Sequence, residues 1–202
     1  MNDIATTKIA GADVNSESVG DTARFRAFGD LERELHELPP SPTDEGRIEL
    51  IVRRVAAGGR REILDAVELT ADAGVPGDAW ERRLQKDPDM QIAVMQIDVA
   101  RLIANGQPLT LFGDNLFVEL DLRASNLPPG TRLKAGSALL QITPHPHNGC
   151  RKFKSRFGDD ALRLVAGTEL RHRNLRGIYM RVVQPGVVRP GDPIQVLSRA
   201  PA

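Results

Sequence analysis

The hydrophobic pattern near the start of the chain differs from the pattern in the rest of it. Between residues 21 and 38, apolar side chains recur at every third or fourth position, which predicts one amphipathic helix. Asp21 is placed to cap this helix and Pro39 to end it. The positions on its apolar face are Phe25, Phe28, Leu31, Leu35 and Leu38. The small and polar residues 1–20 predict a disordered tail before it.

Short strands separated by turns are the recurring feature from residue 46 onward. Apolar and polar residues alternate in short runs, with Gly and Pro between them, including a turn at Gly58-Gly59 and an irregular loop over 144–149. The predicted strands cover 48–53, 63–69, 90–97, 116–122, 131–134, 138–143, 177–183 and 193–197. The predicted short helices cover 98–104 and 159–165. Many short strands with few helices are typical of a mostly β fold, either a barrel or a sandwich.

The length of the chain and this change of pattern together indicate two parts. The 202 residues fit one main domain with an extension. We expect an acidic N-terminal extension with one amphipathic helix over residues 1–45, and a β-barrel domain over residues 46–202. The extension holds ten acidic and four basic residues. Two hypotheses for its helix are that it covers a basic face of the domain and that it joins a homodimer.

Composition narrows the location and the class of function. The chain has a single cysteine, no apolar run near the roughly 20 residues of a membrane span, and no apolar segment typical of a secretion signal at its start. These features predict a cytoplasmic protein that does not enter a membrane. The 27 Lys and Arg balance the 27 Asp and Glu, which argues against general nucleic-acid binding. Motifs of phosphate-binding loops and common zinc sites are absent.

A basic block begins directly after the single cysteine. Residues 151–181 hold nine basic and three acidic residues, and Cys150 precedes them. Nearby cations favour the thiolate over the thiol, and a thiolate is both a nucleophile and a soft metal ligand. A lone cysteine is also often a small buried hydrophobe, so both interpretations stay open.

The histidines before this cysteine and a second basic cluster add further candidates. His145, His147 and Cys150 lack the spacing of a structural zinc site, and no fourth ligand lies near them in the sequence. Loop packing or hydrogen bonding is the favoured role of both histidines, while a nucleophilic Cys–His pair stays open. The basic residues of 171–176 suit phosphate or carboxylate oxygens. A solvated loop is the usual alternative for such a run, and two basic clusters around one cysteine make an anion pocket more plausible than either cluster alone would.

Several motifs in order make residues 46–197 similar to the MOSC domain, the C-terminal domain of molybdenum cofactor sulfurases. The matching motifs are Gly113-Asp-Asn-Leu116, Gly130 and Gly136, Pro-His-x-Gly-Cys150-x-Lys-Phe153, Phe157-Gly158, Arg176-Gly-Ile-Tyr179, Val182-Val183-x-Pro-Gly186 and Pro190-Gly-Asp192. Many members carry Pro-Arg-x-Pro-Cys, so a histidine replaces an arginine in this chain. The resemblance implies a free-standing member with a MOSC-type β-barrel and a few short helices.

The resemblance also implies a chemistry for the site. Related free-standing members bind the molybdenum cofactor (molybdopterin), use the cysteine as a molybdenum ligand and reduce N-hydroxylated small molecules. In the sulfurases, the domain is proposed to carry sulfur, and pyridoxal phosphate belongs to a separate desulfurase domain that a partner would supply here. Cys150 is therefore predicted to be the catalytic thiol and the molybdenum ligand. The predicted cofactor-binding residues are Asn115, His147, Gly149, Lys152, Arg173 and Arg176.

Three functions stay open as alternatives. The first is a molybdenum-cofactor-dependent oxidoreductase that receives electrons from a donor protein. The second is a sulfur carrier, or sulfurtransferase, that holds a persulfide on Cys150 supplied by a cysteine desulfurase. The third is a non-enzymatic barrel that binds nucleic acid or another anion, which the small number of aromatic residues disfavours.

Overall fold

The computed structural model describes residues 19–55 and 60–200. Residues 1–18 of the predicted tail and the predicted Gly58-Gly59 turn lie outside these ranges. The strands are β1 (Glu45–Arg54), β2 (Arg61–Ile63), β3 (Val67–Leu69), β4 (Ile92–Gln96), β5 (Leu116–Glu119), β6 (Arg132–Ala135), β7 (Ala138–Ile142), β8 (Ile178–Gln184), β9 (Gly186–Val188) and β10 (Pro193–Ser198). The helices are α1 (Phe28–Glu37), α2 (Ile97–Ala104), α3 (Arg151–Phe157) and α4 (Asp159–Ala166).

Within the described ranges, seven strands close into a barrel. Their order is β1-β5-β4-β8-β7-β6-β10, and β10 pairs back onto β1. β2 extends the sheet beyond β1, while β3 and β9 form a separate two-stranded ribbon. Only β4 and β5 pair in parallel among these strands, because α2 carries the chain across between them. The prediction of a mostly β barrel with a few short helices is confirmed.

Apolar side chains form two clusters, one inside the barrel and one between its outer wall and the helices. Successive residues of β5 show the division, since Leu116 and Val118 belong to the inner cluster and Phe117 to the outer one. In β1 the register against β5 shifts between Ile48 and Leu50. This bulge changes which face of the strand each later residue presents. The functional residues described below lie at the edge of the outer cluster.

The N-terminal helix is shorter than the sequence predicted. Asp21 accepts a hydrogen bond from the backbone N–H of Ala23 at 3.0 Å, and so caps the 3₁₀ turn Thr22–Arg24 instead of an α-helix. The α-helix begins only at Phe28. Leu31 and Leu35 are buried in the outer cluster, as their spacing predicted.

Two other elements differ from the sequence prediction. The predicted strand over 63–69 is two strands, β2 and β3, which pair with different partners. Helix α3 was not predicted, although Phe153 and Phe157 have helical spacing and are both buried in the outer cluster. In the described residues, none of the helices combines the length and apolar character needed to cross a bilayer.

Candidate functional site

Two consecutive polar side chains, Asp114 and Asn115, are fully buried at the amino end of β5. Gly113 precedes them with a φ of 77°, a left-handed conformation that glycine adopts without strain and that ends the 3₁₀ turn before it. Burying a carboxylate and an amide costs free energy unless partners satisfy them. The residues that provide those partners define the site.

Arg54, Asp78 and Asn115 form one hydrogen-bonded network. At the end of β1, Arg54 donates to Asp78 Oδ1 from its backbone N–H at 2.8 Å and from Nε at 3.0 Å. Asn115 donates from Nδ2 to the same oxygen at 3.1 Å, and its Oδ1 accepts from the backbone N–H of Ala93 at 3.1 Å. Burial opposes ionisation of Asp78, but the hydrogen bonds from Arg54 outweigh it and lower the carboxyl pKa. Asn115 therefore shapes the wall of the site through contacts within the protein.

Asp114 faces a guanidinium on one side and a histidine on the other. Arg176 donates from Nη1 to Asp114 Oδ2 at 2.7 Å, and Nδ1 of His147 lies 3.5 Å from Asp114 Oδ1. The His147 ring packs on Tyr179, with ring centroids 4.3 Å apart. The 3.5 Å separation would suit an ion pair, but burial, Arg176 and Arg54 lower the pKa of His147 well below 6.5. His147 is therefore neutral, and burial also raises the pKa of Asp114.

Several buried polar atoms around Asp114 have no hydrogen-bond partner among the described residues. They are Nε and Nη1 of Arg61, Nε of Arg176, Oδ1 of Asp114 and Nδ1 of His147. The Arg61 side chain comes from β2, and burial together with Arg156 and Arg54 lowers its pKa to about 10. Buried donors without partners are costly, so native proteins seldom contain them without a functional reason. The open donors of Arg61 and Arg176 point to a ligand that supplies acceptors.

Positive charge exceeds negative charge in this part of the described structure. The cations are Arg54, Arg61, Arg156 and Arg176, and the carboxylates are Asp78 and Asp114. We call these residues, together with His147, the arginine cluster. Because His147 is neutral, nothing else in the cluster adds charge. Guanidinium groups in such a setting suit a phosphate or carboxylate group.

Cys150 is exposed and immediately precedes α3. Its exposure contradicts the interpretation of the lone cysteine as a buried hydrophobe. Burial lowers the pKa of Arg156, and an electrostatic interaction with Cys150 opposes that shift, so Cys150 lies within electrostatic range of one member of the arginine cluster. Gly149 packs so closely on α4 that a Cβ would lie 2.4 Å from Leu162 Cδ1. Lys152 is exposed on the first turn of α3.

The structure brings together some of the predicted residues but not Arg173. Asn115, His147 and Arg176 all lie around Asp114, with Cys150 near Arg156. Arg173 is half-buried in a 3₁₀ turn and lines a separate cleft. The part that each of these residues takes in binding a cofactor stays a prediction.

Three residues of the arginine cluster were missed by the sequence analysis. Arg54, Arg61 and Asp78 come from β1, β2 and the turn before Trp80, far from Cys150 in the sequence. An arginine at a strand end and an aspartate in a Gly- and Pro-rich turn look like ordinary surface residues. The only signal was the Gly113-Asp-Asn-Leu116 motif, which contains the buried residues that these three surround.

The candidate zinc ligands do not converge. In the described ranges, no three His, Cys, Asp or Glu side chains are grouped as a metal site would require. His145 instead has Nδ1 3.5 Å from an oxygen of Asp87, and its ring lies against Tyr179. Both histidine rings thus pack against Tyr179.

Comparison with known proteins identifies the domain and its fold. A family model described as the MOSC domain matches residues 76–195, more than half of the chain. The YUAD protein from Bacillus subtilis superposes with a TM-score of 0.53 at 19% identity, covering 74% of this chain and 94% of that one. YiiM from Escherichia coli gives 0.52 at 23% identity, covering 77% and 72%. These likenesses show the fold, and no curated protein matches the chain.

Proposed function

The chain belongs to the MOSC domain family, and from this premise we propose that it binds the molybdenum cofactor and reduces N-hydroxylated small molecules. Cys150 is the proposed thiolate ligand of molybdenum. One observation carries the proposal: the buried guanidinium groups of Arg61 and Arg176 have donors without hydrogen-bond partners among the described residues, in a chain whose cysteine is exposed. The molybdenum cofactor offers a partner for each: a phosphate for the guanidinium groups, and a molybdenum atom soft enough to bind a thiolate.

The residues of the chain fit this cofactor. A cofactor that carries its own sulfur ligands needs one thiolate from the protein, and the exposed Cys150 can supply it. Arg61 and Arg176 would hold the phosphate through their open N–H groups. Gly149 and Lys152 lie next to Cys150 in the chain, and Asn115 helps to hold Asp78, and through it Arg54, in place.

The protein has distinct tasks in the proposed reaction. When bound, the cofactor supplies two-electron redox chemistry. Reduction of an N–OH group to N–H consumes two electrons and two protons and releases water, and the electrons come from a partner protein. The arginine cluster orients the anionic cofactor, and the neutral His147 avoids adding a further charge to a site that already has excess cations. The exposed position of Cys150 leaves the reacting face open to a small substrate.

Molybdenum content tests the role of Cys150. The wild-type protein, purified from a host that makes the cofactor, should contain near-stoichiometric molybdenum by elemental mass spectrometry. Cys150→Ser should lose the metal together with hydroxylamine reductase activity, because a hydroxyl is a poor ligand for a soft metal. Ser155→Ala, in the same helix α3, should keep both. Wild-type protein with molybdenum but without activity toward any N-hydroxylated compound would reject the reductase.

Two neighbouring arginines offer a matched test of the anion site. Arg61→Gln removes a buried guanidinium, whereas Arg60→Gln changes an exposed one at the adjacent position. Charge-assisted hydrogen bonds contribute about 1.5–3 kcal/mol each, so Arg61→Gln should lower bound molybdenum at least roughly tenfold at limiting cofactor. Arg60→Gln should retain it. Equal metal content in the two variants would remove Arg61 from the proposed site.

A sulfur-carrier function is the second candidate, and the exposure of Cys150 favours it. The terminal sulfur of a desulfurase persulfide would be transferred to the Cys150 thiolate, releasing the desulfurase thiolate, so the exchange needs no other oxidant. After incubation with a cysteine desulfurase and cysteine, mass spectrometry should show one added sulfur atom on Cys150 that a reductant removes. An unchanged mass would reject this function.

A further inference from the structure

A second cleft lies away from Cys150, between the end of α1 and the barrel. Its volume is about 240 Å³. Leu38, Val99 and Leu175 form part of an apolar wall, while Arg123 and Arg173 stand on the polar side. One water molecule needs only about 10–15 Å³ of such a volume, so the cleft offers many times the space of a single water. That size suits a small organic molecule.

The acidic groups of the cleft are already satisfied. Asp98 accepts from Ser41 Oγ at 3.0 Å and from Gln96 Nε2 at 2.9 Å. Asp121 is buried, and Arg123 donates to it from Nε at 2.8 Å and from Nη2 at 2.6 Å. Neither carboxylate is therefore available to bind a cation.

The donors of the cleft are not all used. Arg173 makes no side-chain hydrogen bond or ion pair within the part of the chain that the structure describes. Arg123 uses Nε and Nη2 on Asp121, which fixes its guanidinium and leaves Nη1 open among the described contacts. The half-buried Arg173 guanidinium interacts electrostatically with Asp121 but donates no hydrogen bond to it, so its donors can still take an acceptor, and the apolar wall beside them can take a hydrophobic body. One small molecule can supply both.

We propose that this cleft binds a small organic carboxylate. The carboxylate accepts from Arg173 and from Nη1 of Arg123, and the hydrocarbon part packs on Leu38, Val99 and Leu175. Carboxylates match the planar fork of a guanidinium, and the fixed position of Arg123 reduces the entropy lost on binding. A bulkier phosphate ester would satisfy the donors but leave the apolar wall without a partner.

The cleft is separate from the arginine cluster. Asp114 and Asn115 precede β5, whereas Asp121 follows it, so the two sites lie at opposite ends of the same strand. Binding in the cleft thus does not depend on a molybdenum cofactor. It can be tested on protein without any cofactor, whatever the outcome for the proposed function.

The experiment is a titration of ¹⁵N-labelled protein with benzoate, followed by amide chemical shifts. Benzyl alcohol and benzylamine serve as neutral and cationic probes of similar size. Benzoate should shift the amides of Gln96, Val99 and Leu175 in a saturable way, and the other two probes should not. Arg173→Gln should weaken benzoate binding at least about tenfold, since it removes a charged donor pair. Arg173→Lys should give an intermediate loss, because the charge stays and the fork is lost.

Arg171→Gln is the matched control, because Arg171 is exposed in the same 3₁₀ turn. It should leave the affinity unchanged. Three results would each overturn the proposal: no saturable shift at the cleft, equal binding of benzyl alcohol, or an equal affinity of the Arg173→Gln protein. Inorganic phosphate tests whether the cleft binds any anion. If phosphate displaced benzoate and bound with the same affinity, the proposal of a carboxylate site would be rejected.

Discussion

His147 is an almost fully buried histidine, and its surroundings explain why a neutral side chain suits this position. It lies among Arg54, Arg176 and Asp114, where a further cation would add to an existing excess of positive charge. A neutral imidazole avoids that repulsion and still fills the space against Tyr179. Gly177 is part of the fit, because a Cβ there would lie 3.3 Å from His147 Nδ1.

The depressed pKa of His147 has a consequence for stability against pH. The unfolded chain binds a proton on this histidine below about pH 6.5, whereas the native protein does not until much lower pH. The free energy of unfolding should therefore fall as the pH drops through 6.5. Between pH 7.5 and 5.5, the free energy of unfolding measured in urea should fall by about 1 kcal/mol less in His147→Gln than in the wild type.

His172 provides the control for this measurement, since it is exposed. His172→Gln should lose as much stability over the same pH range as the wild type. A wild-type pH dependence in the His147→Gln protein would show that the pKa of this histidine is not lowered in the native state. The other charged groups that face His147, namely Asp114, Arg54, Arg176, His145 and Tyr179, are present in all three proteins.

The chemistry of single residues could be predicted only where it was local in the sequence. Cys150 is exposed, which a reactive thiol requires. It interacts electrostatically with Arg156, which belongs to the basic block that follows it in the sequence. Arg61 could not be found this way, because only the pairing of β1 with both β2 and β5 brings β2 toward Asp114. Arg173 and Arg176 are neighbours in sequence, yet a change of direction after the 3₁₀ turn sends them to different sites.

At the scale of elements, the turn before Trp80 is tied to β1 by one buried carboxylate. Asp78 accepts from the Arg54 backbone and side chain, from Asn115 and from the Trp80 backbone N–H at 2.9 Å. These bonds join the turn, β1 and β5 at one point. The local sequence gave no sign of it, since a Gly-Asp pair in a Pro-rich segment is typical of an exposed turn.

Asp78→Asn should therefore be strongly destabilising. The amide cannot balance the charge of Arg54, whose side chain is partly buried, and leaving such a group without its partner costs about 1–3 kcal/mol. Asp72→Asn, an exposed change in the preceding turn, should stay within about 0.5 kcal/mol of wild type. Urea unfolding at pH 7 measures both. A loss below about 1 kcal/mol for Asp78→Asn would contradict this prediction, because it would show that the network does not depend on the carboxylate charge.

At the scale of the whole molecule, the outer wall of the barrel and the helices share the outer cluster of apolar side chains. Leu31 and Leu35 of α1 belong to the same buried cluster as Met95 and Phe117 of the barrel wall. Phe28 adds to this contact, since its backbone N–H donates to Asp160 Oδ2 at 3.1 Å and its ring lies under the Arg163 guanidinium at 4.3 Å. The acidic segment thus meets α4, which lies in the basic block. The division at residue 45 and a homodimer stay predictions, as does a cytoplasmic location.

We propose that the extension and the barrel unfold as one unit, and a pair of leucines tests this. Leu31→Ala should lower the stability of the whole domain by about 2–5 kcal/mol, because it opens a cavity in the shared cluster. Leu84→Ala, at a fully exposed leucine, should change it by less than about 0.5 kcal/mol. Trp80 fluorescence reports on the barrel side and far-ultraviolet circular dichroism on all helices and strands. Coincident transitions shifted together by Leu31→Ala would establish one cooperative unit. An unshifted Trp80 transition would instead make residues 1–45 an appendage that the barrel does not need.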